Sequence, residues 1–516
     1  MSLAQGMILL DVTIVDVALP SIQHGLHMSA GRLEWVVSAY ALALAALIPL
    51  GGALGDRFGR RRCFVVGMAV FVVGSAACAL STVDVELIAF RAVQGIGGAL
   101  MSSLTLSILV EATPTDDRPS AIGTWTAIAG VGFMVGPIVG GLLLSVFDWS
   151  SVFWVNVPFG VAGLVLTLTS VDESRDPSGR HLDPAGAVLA SVGLFLVTFG
   201  LVESADRSWG SPAVVGCIVA GAAVLAGFFW WEHRTSSPMV PPAMLRQHRF
   251  AIGNVVLLVA FLSLTGMFFF VTLFFQNVEG WSALKTGVSW IALGVPFLFV
   301  AQSSGRLTKR FSPGPVIAVG CAVAAAGIAG LSFVTGATAI AEVEGWYVGI
   351  AVGFGLLSPA ASTVVMSSVE GGASGIASGI LNTSRQVGTS VGLAVLGSIG
   401  VTVAAREWRA HLVDAPTAAL RQAGDGLVGS VTSGQITVVR HDVGADLATW
   451  ATAAFESGLQ IALLVGAGLL LATGIVAYAA LRRPAVAVSH QPAAAVPHQP
   501  AAAVPHRPEG IGGPRQ

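Results

Sequence analysis

Stretches of about 20 apolar residues succeed one another along almost the whole chain, and few folds are open to a chain built this way. Fourteen such segments can be read, near 1–22, 35–54, 63–82, 86–110, 120–144, 152–171, 183–203, 212–231, 250–277, 286–304, 315–336, 344–367, 375–403 and 453–481. A hydrocarbon core of roughly 30 Å is crossed by about 20 helical residues. Inside it the backbone must satisfy its own hydrogen bonds, so a spanning segment of this kind is a helix. Composition agrees: 54% of residues are hydrophobic and 10% charged, against roughly 45–50% and about 25% in soluble domains. The 63 glycines would count against helices in water, but in lipid small residues let helices approach closely. The pattern predicts an all-α membrane protein with fourteen transmembrane helices.

Basic residues set the orientation. Thirteen of them (Arg57, Arg60, Arg61, Arg62, Arg118, Arg175, Arg180, Arg234, Arg246, Arg249, Arg306, Lys309 and Arg310) fall in short connections on one side, and three (Arg32, Arg207 and Lys285) on the other. The basic side is therefore expected to be cytoplasmic, and an even number of helices puts both termini there. The first segment begins at Met1 and is barely long enough to span, so either the start is late or the first helix is short and tilted in a locally thinned bilayer. Arginine outnumbers lysine 24 to 2, which with the Ala, Val and Gly content suggests a GC-rich bacterial genome.

Net charge is −2, which gives no bias toward nucleic acid. Cys63, Cys78, Cys217 and Cys321 lie in or beside apolar blocks without metal-ligand spacing and read as small hydrophobes. The tail repeats "HQPAAAVP" at 490–497 and 498–505. Its composition suits a disordered or polyproline-like segment, and His490, His498 and His506 are more simply part of a low-complexity tail than a metal site.

"LGDRF" at 54–58 is echoed by "LTKRF" at 307–311, an offset of 253 residues. Duplicated bundles are frequent in secondary transporters. The echo joins the second segment to the tenth, two more than a plain six-helix duplication gives. The expected organisation is an N-terminal six-helix bundle over 1–172, two inserted helices over 183–231, and a C-terminal six-helix bundle over 250–481. The second bundle carries an outer loop at 404–452, and 482–516 forms the tail.

Three constellations carry chemistry. The connection "GGALGDRFGRRR" (51–62) sets Gly52, Gly55 and Gly59 for a tight turn and close helix contact, beside Asp56, Arg57, Arg60, Arg61 and Arg62. Asp56 can cap a helix or pair with an arginine. The fourth segment holds Arg91 and Gln94 in "FRAVQGIGGAL". An arginine within a span costs at least a few kcal/mol and faces a cavity or a partner. Asp11 and Asp16 in the first segment are the best candidates for its partner, with Asp84 and Glu86 nearby but expected at the surface. Asp11 and Asp16 lie five residues apart and so do not share a helix face. A carboxyl held between apolar surroundings, which favour its neutral form, and an arginine, which favours its charged form, can load and release a proton. The fifth segment, "GVGFMVGPIVGG", puts Gly132, Gly136, Gly140 and Gly141 on a small-residue face around Pro137, which bends the helix.

The loop pattern G-x-L-G-D-R-x-G-R-R-R resembles the signature loop of the major facilitator superfamily. R-x-x-Q-G at Arg91, Gln94 and Gly95 resembles its fourth-helix motif, which is implicated in proton coupling. G-x-x-x-G-P-x-x-G-G resembles the fifth-helix motif of its exporters. "LDVTIVDVALP" is similar to the first-helix motif of the 14-helix drug:proton antiporters, except that Asp16 stands where Asn is usual. The matches extend through "EWVVSAYALALAALIPLGG", where Glu34 replaces a usual Gln, and "FWVNVPFG", where Ser150 replaces a frequent basic residue. They continue through "LDPAGAVL", "SGIASGILNTSRQVGTSVGLAVLG" and "FESGLQIALL". The tail and much of 404–452 are not covered.

The resemblance implies a proton-coupled antiporter that exports lipophilic drugs, antiseptics or antibiotics across the bacterial plasma membrane. Asp11, Asp16 and Arg91 would couple protons, and Asp16 would add a proton, recognise a cationic substrate, or hydrogen-bond as a neutral group. Asn382, Arg385 and Gln386, with Gln94, form polar patches that either line the cavity or serve structure. Trp35, Tyr40, Phe268, Phe269, Phe270, Phe274 and Phe275 are open to stacking a substrate, packing, or facing lipid. No nucleotide-binding loop and no hydrolytic triad or zinc motif is present, so the expectation is a monomeric non-enzyme without cofactor or metal, driven by the proton gradient. The alternatives are an exporter or importer of an endogenous metabolite with the same fold, and a non-transporting membrane receptor.

Overall fold

The computed structural model describes residues 1–114, 118–174, 183–207, 210–235, 238, 244, 246–368 and 374–481. The helices are α1 (Ser2–Leu26), α2 (Ala30–Phe58), α3 (Arg60–Ala79), α4 (Asp84–Ala112), α5 (Arg118–Val146), α6 (Ser151–Trp154), α7 (Asn156–Ser170), α8 (Pro184–Asp206) and α9 (Pro212–Glu232). After them come α10 (His248–Leu273), extended by a π-turn at Phe274–Val278, then α11 (Ala283–Ser289), α12 (Ile291–Phe311), α13 (Pro313–Leu331), α14 (Ile340–Ser367) and α15 (Ser374–Leu412). Three short helices, α16 (Ala418–Gly426), α17 (Val428–Thr432) and α18 (Ile436–Val443), precede α19 (Ala445–Leu481). Each of the fourteen apolar segments falls on helix. Among the described residues eleven helices are long and apolar enough to cross a membrane. That is compatible with fourteen, because α2, α5 and α8 run over side chains outside the description. The first helix has 25 residues, about 37 Å at 1.5 Å each, which exceeds the span expected from its apolar segment alone.

Small residues set the closest approaches. A Cβ at Gly136 would strike Thr13, and one at Gly132 would strike the Gly6 backbone, so α5 lies against α1 without side chains between them. Gly51 and Gly55 do the same for α2 against Ser103 and Leu104 of α4. Gly52, expected to share that role, faces open space. The pair α8–α9 closes on Gly193 and Gly221, whose added Cβ atoms would lie 2.7 Å from the nearest atoms across the pair.

The helix ends define two faces, one carrying 57–62 and one opposite. Contacts between the first seven helices and α10–α19 gather at the face opposite the arginines. Gln276 Nε2 donates to the Val17 carbonyl at 3.0 Å, and Asn277 Nδ2 donates to Gln23 Oε1 at 3.1 Å. A Cβ at Gly141 would meet Leu284 Cα at 2.5 Å, and one at Gly287 would meet the Pro137 carbonyl. α8 bridges the same end, with Phe199 against Trp35 at 5.4 Å and Ser204 Oγ 2.8 Å from Ser398 Oγ. The 404–452 connection, expected as a loop, is largely helical. It folds on its own apolar cluster of Trp408, Leu412, Val431, Ile436, Val439 and Val443.

The side chains of Asp56, Arg118 and Lys309, the loop residues Arg175 and Arg180, and the histidines of the tail lie outside the described residues.

Candidate functional site

Five helices converge on one buried ion pair. Arg91 sits two turns into α4 and is 1% exposed, and Asp11 of α1 is fully buried. They meet at 2.7 Å, Arg91 Nη1 to Asp11 Oδ2. Gln94, three residues along the same face of α4, accepts from Arg91 Nη1 at 2.7 Å and donates through Nε2 to Asp11 Oδ1 at 2.9 Å. Asn156, the first residue of α7, donates to Asp11 Oδ1 at 2.6 Å and lies 3.1 Å from Ser75 Oγ of α3. Arg91 Nε donates to the Val36 carbonyl of α2 at 3.0 Å. The guanidinium lies 4.2 Å from the Tyr40 ring centroid and 5.8 Å from that of Phe153, which gives the charge two aromatic walls.

The Asp11 carboxylate thus accepts three N–H donors across its two oxygens. Loss of the charge on Asp11 would weaken its charge-assisted bond to Arg91 and so loosen the cluster. The pairing of Arg91 with Asp11 follows the expectation from the sequence. Asn156 and Ser75 were not singled out, although an Asn inside the apolar "FWVNVPFG" was the available signal.

Asp16 lies apart. It is 6% exposed and makes no hydrogen bond or ion pair among the described residues. On a 100° helical wheel it shares a face with Gln23, seven residues on, which bonds Asn277 across the interface.

At the arginine-rich face the turn between α2 and α3 is anchored rather than merely charged. Gly59 has φ +110°, and a Cβ there would meet the Glu173 carboxylate at 2.5 Å. That carboxylate accepts from the amides of Arg61 at 3.1 Å and Arg62 at 3.2 Å, the first turn of α3. Arg60 pairs with Glu111 at the end of α4, and the Arg61 guanidinium donates to the Leu168 carbonyl near the end of α7. Arg57 is exposed beside Phe58. Glu111 and Glu173 were not anticipated, since they lie 51 and 112 residues from their partners.

The expected small-residue face of α5 divides. Gly132, Gly136 and Gly140 pack on α1, whereas Pro137 and Gly141 pack on α11 across the interface. The second intramembrane arginine, Arg385, donates to Ser362 Oγ at 2.9 Å and lies 5.6 Å from the Phe261 ring. Its neighbour Ser384 donates to Asn254 Oδ1 at 3.1 Å, while Asn382 and Gln386 are half-buried. Phe268, Phe269, Phe270, Phe274 and Phe275 are buried in the core rather than facing lipid. Phe268 meets Trp290 at 4.3 Å, and Phe275 stacks on Trp281 at 4.2 Å.

The model of the Major Facilitator Superfamily matches residues 1–393. Relatives include the tetracenomycin C resistance and export protein of Streptomyces glaucescens, 36% identical over 76% of this chain and 73% of that one. A multidrug resistance protein of Mycobacterium tuberculosis is 32% identical over 89% of this chain and 87% of that one. The crystal structure of a bacterial homologue of the human lysosomal transporter Spinster, in an inward-facing and unoccupied conformation, aligns with a TM-score of 0.64 at 17% identity. It covers 94% of this chain and 97% of that one, which is a likeness of fold. The chain belongs to the Major Facilitator Superfamily of transporters and is a multi-pass membrane protein.

Proposed function

We propose that the protein exports lipophilic drugs or antibiotics from the bacterial cytoplasm across the plasma membrane in exchange for protons. Support for the substrate class comes from relatives that are themselves resistance and export proteins. The observation that carries proton coupling is the Asp11 carboxylate, fully buried and bonded at once to Arg91, Gln94 and Asn156. Neutralising that carboxylate would weaken its bonds to Arg91, Gln94 and Asn156, and α1, α2, α3, α4 and α7 all take part in the cluster. A local proton is thereby turned into movement of helices.

With the arginine-rich face cytoplasmic, both termini are cytoplasmic and the contacts at Gln23–Asn277 and Gly141–Leu284 close the outer end. The working parts are two six-helix bundles, 1–172 and 250–481, with 183–231 inserted between them. The protein acts as a monomer without cofactor or catalytic chemistry. One charge moving through 100 mV supplies about 2.3 kcal/mol.

The test is ethidium and antibiotic efflux from energised cells, with and without a protonophore, for wild type and Asp11→Asn. Protonophore-sensitive efflux that is lost in Asp11→Asn is expected. Efflux unchanged by both would remove the coupling argued here.

A further inference from the structure

Arg91 and Arg385 are both set inside apolar helices, but they differ in company. Arg91 meets Asp11 at 2.7 Å. Arg385 is the twelfth of the 39 residues of α15, and among the described residues no ion pair joins it to a carboxylate. Its own helix and the two beside its head offer none at its depth. α10 has no acidic residue. The acids of α14 are Glu342 and Glu344, in its first two turns, and Ser362, which Arg385 bonds, lies about 27 Å further along that helix. Glu407 of α15 is about 33 Å along the axis from Arg385. A guanidinium keeps its charge even when buried. Nη2 donates to Ser362 Oγ at 2.9 Å, while Nε is buried and has no partner among the described residues. Ser362 brings no charge, and its own hydroxyl donates to the Ser358 carbonyl at 2.8 Å.

Space adjoins the group. Residues 382–387 are all half-buried, whereas 388–390, the next turn, are buried. Six successive residues run more than once around a helix at about 100° each, so this accessible surface is not confined to a lipid-facing side. The guanidinium itself points inward, toward Ser362 of α14 and the Phe261 ring of α10. Beside it, the bond from Ser384 to Asn254 Oδ1 ties α15 to α10. An anion entering that space would supply the missing counter-charge in apolar surroundings, where a charge-assisted pair is strongest. The planar fork of a guanidinium matches the two oxygens of a carboxylate.

We propose that Arg385 is the recognition point for a carboxylate on the exported compound, so that this transporter selects lipophilic acids over uncharged compounds of the same shape. The inference rests on the export reading above and names its substrate class. It places recognition among α10, α14 and α15, apart from the cluster of Asp11 and Arg91. Cargo and proton then act on different halves of the chain.

The test is equilibrium dialysis of pyrenebutyrate against the purified full chain in detergent at neutral pH, corrected with protein-free micelles, with the uncharged methyl ester as control. Wild type is expected to bind the acid more tightly than the ester. Arg385→Gln should bind the acid at least about tenfold more weakly, as befits loss of a hydrogen-bonded charge, and the ester as wild type does. Arg385→Lys should recover part of the loss, since it restores the charge without the fork. Melting temperature separates recognition from a structural role. With no counter-charge left stranded, ligand-free Arg385→Gln should melt no lower than wild type, and the acid should raise the melting temperature of wild type but not of Arg385→Gln. No preference of wild type for the acid, equal affinity of wild type and Arg385→Gln for it, or a destabilised ligand-free Arg385→Gln would overturn the proposal. Binding needs no gradient, so efflux that fails while binding holds removes the export reading alone, and binding that fails while efflux holds removes this inference alone.

Discussion

A buried arginine is stable only in company, and the company of Arg91 is specific in kind. Its fork spans Asp11, Gln94 and the Val36 carbonyl at once, a geometry that the single ammonium of lysine cannot reproduce. Breaking a buried pair by removing one partner leaves the other charge uncompensated and costs roughly 3–5 kcal/mol. Arg91→Ala is therefore expected to lower thermal stability markedly in detergent, and Asp11→Asn to do so less because the amide still accepts through its oxygen. The double variant Asp11→Asn/Arg91→Ala should be more stable than Arg91→Ala alone, since no charge is then stranded. Melting temperatures of the four proteins check this, and strictly additive losses would show that the two groups do not act as a pair.

At the scale of elements, glycine positions separate into those that allow contact and those that do not. A Cβ at Gly136 would strike Thr13, and one at Gly52 would meet nothing within 4 Å. Gly136→Ala should accordingly lower melting temperature and transport, whereas Gly52→Ala should leave stability close to wild type. Comparable loss in both would mean that the contact of α1 with α5 is not what the fifth-helix pattern serves. The same residues show how far the sequence could be read. Apolar period and length located every long helix, because burial in lipid depends on composition over about 20 residues and little on partners. The pairing of Asp11 with Arg91 was legible because charges in apolar helices are rare and must find one another. Gly51 in place of Gly52, and Glu173 beneath the Arg61 and Arg62 amides, were not legible. These depend on helix rotation and on approaches between distant segments, which one sequence does not encode locally. The helical content of 404–452 escaped for a related reason, as its apolar residues are too short a run to span and pack against one another, α19 and Val278.

For the whole molecule, alternating access requires that the end opposite the arginines come apart. Among the described residues the side-chain hydrogen bonds that join α1 to the turn after α10 there run from Asn277 to Gln23 and from Gln276 to the Val17 carbonyl. At about 0.5–1.5 kcal/mol each, these two are together worth about 1–3 kcal/mol, of the same order as the roughly 2.3 kcal/mol that one proton brings through 100 mV. The polar part of the closure is thus comparable with the work of one coupled proton, and the close packing at Gly141 and Gly287 adds van der Waals contact to it. Asn277 also donates to the Ser433 carbonyl at 2.9 Å. The helical segment 413–443 therefore rests on the same residue that joins the two groups. Joining Gln23→Cys to Asn277→Cys, in a background with Cys63, Cys78, Cys217 and Cys321 replaced, should hold this end shut. Oxidation is expected to stop efflux, and reduction to restore it. Efflux that continues undiminished through a fully formed cross-link would show that substrate leaves by another route, and would place the moving interface elsewhere in the fold.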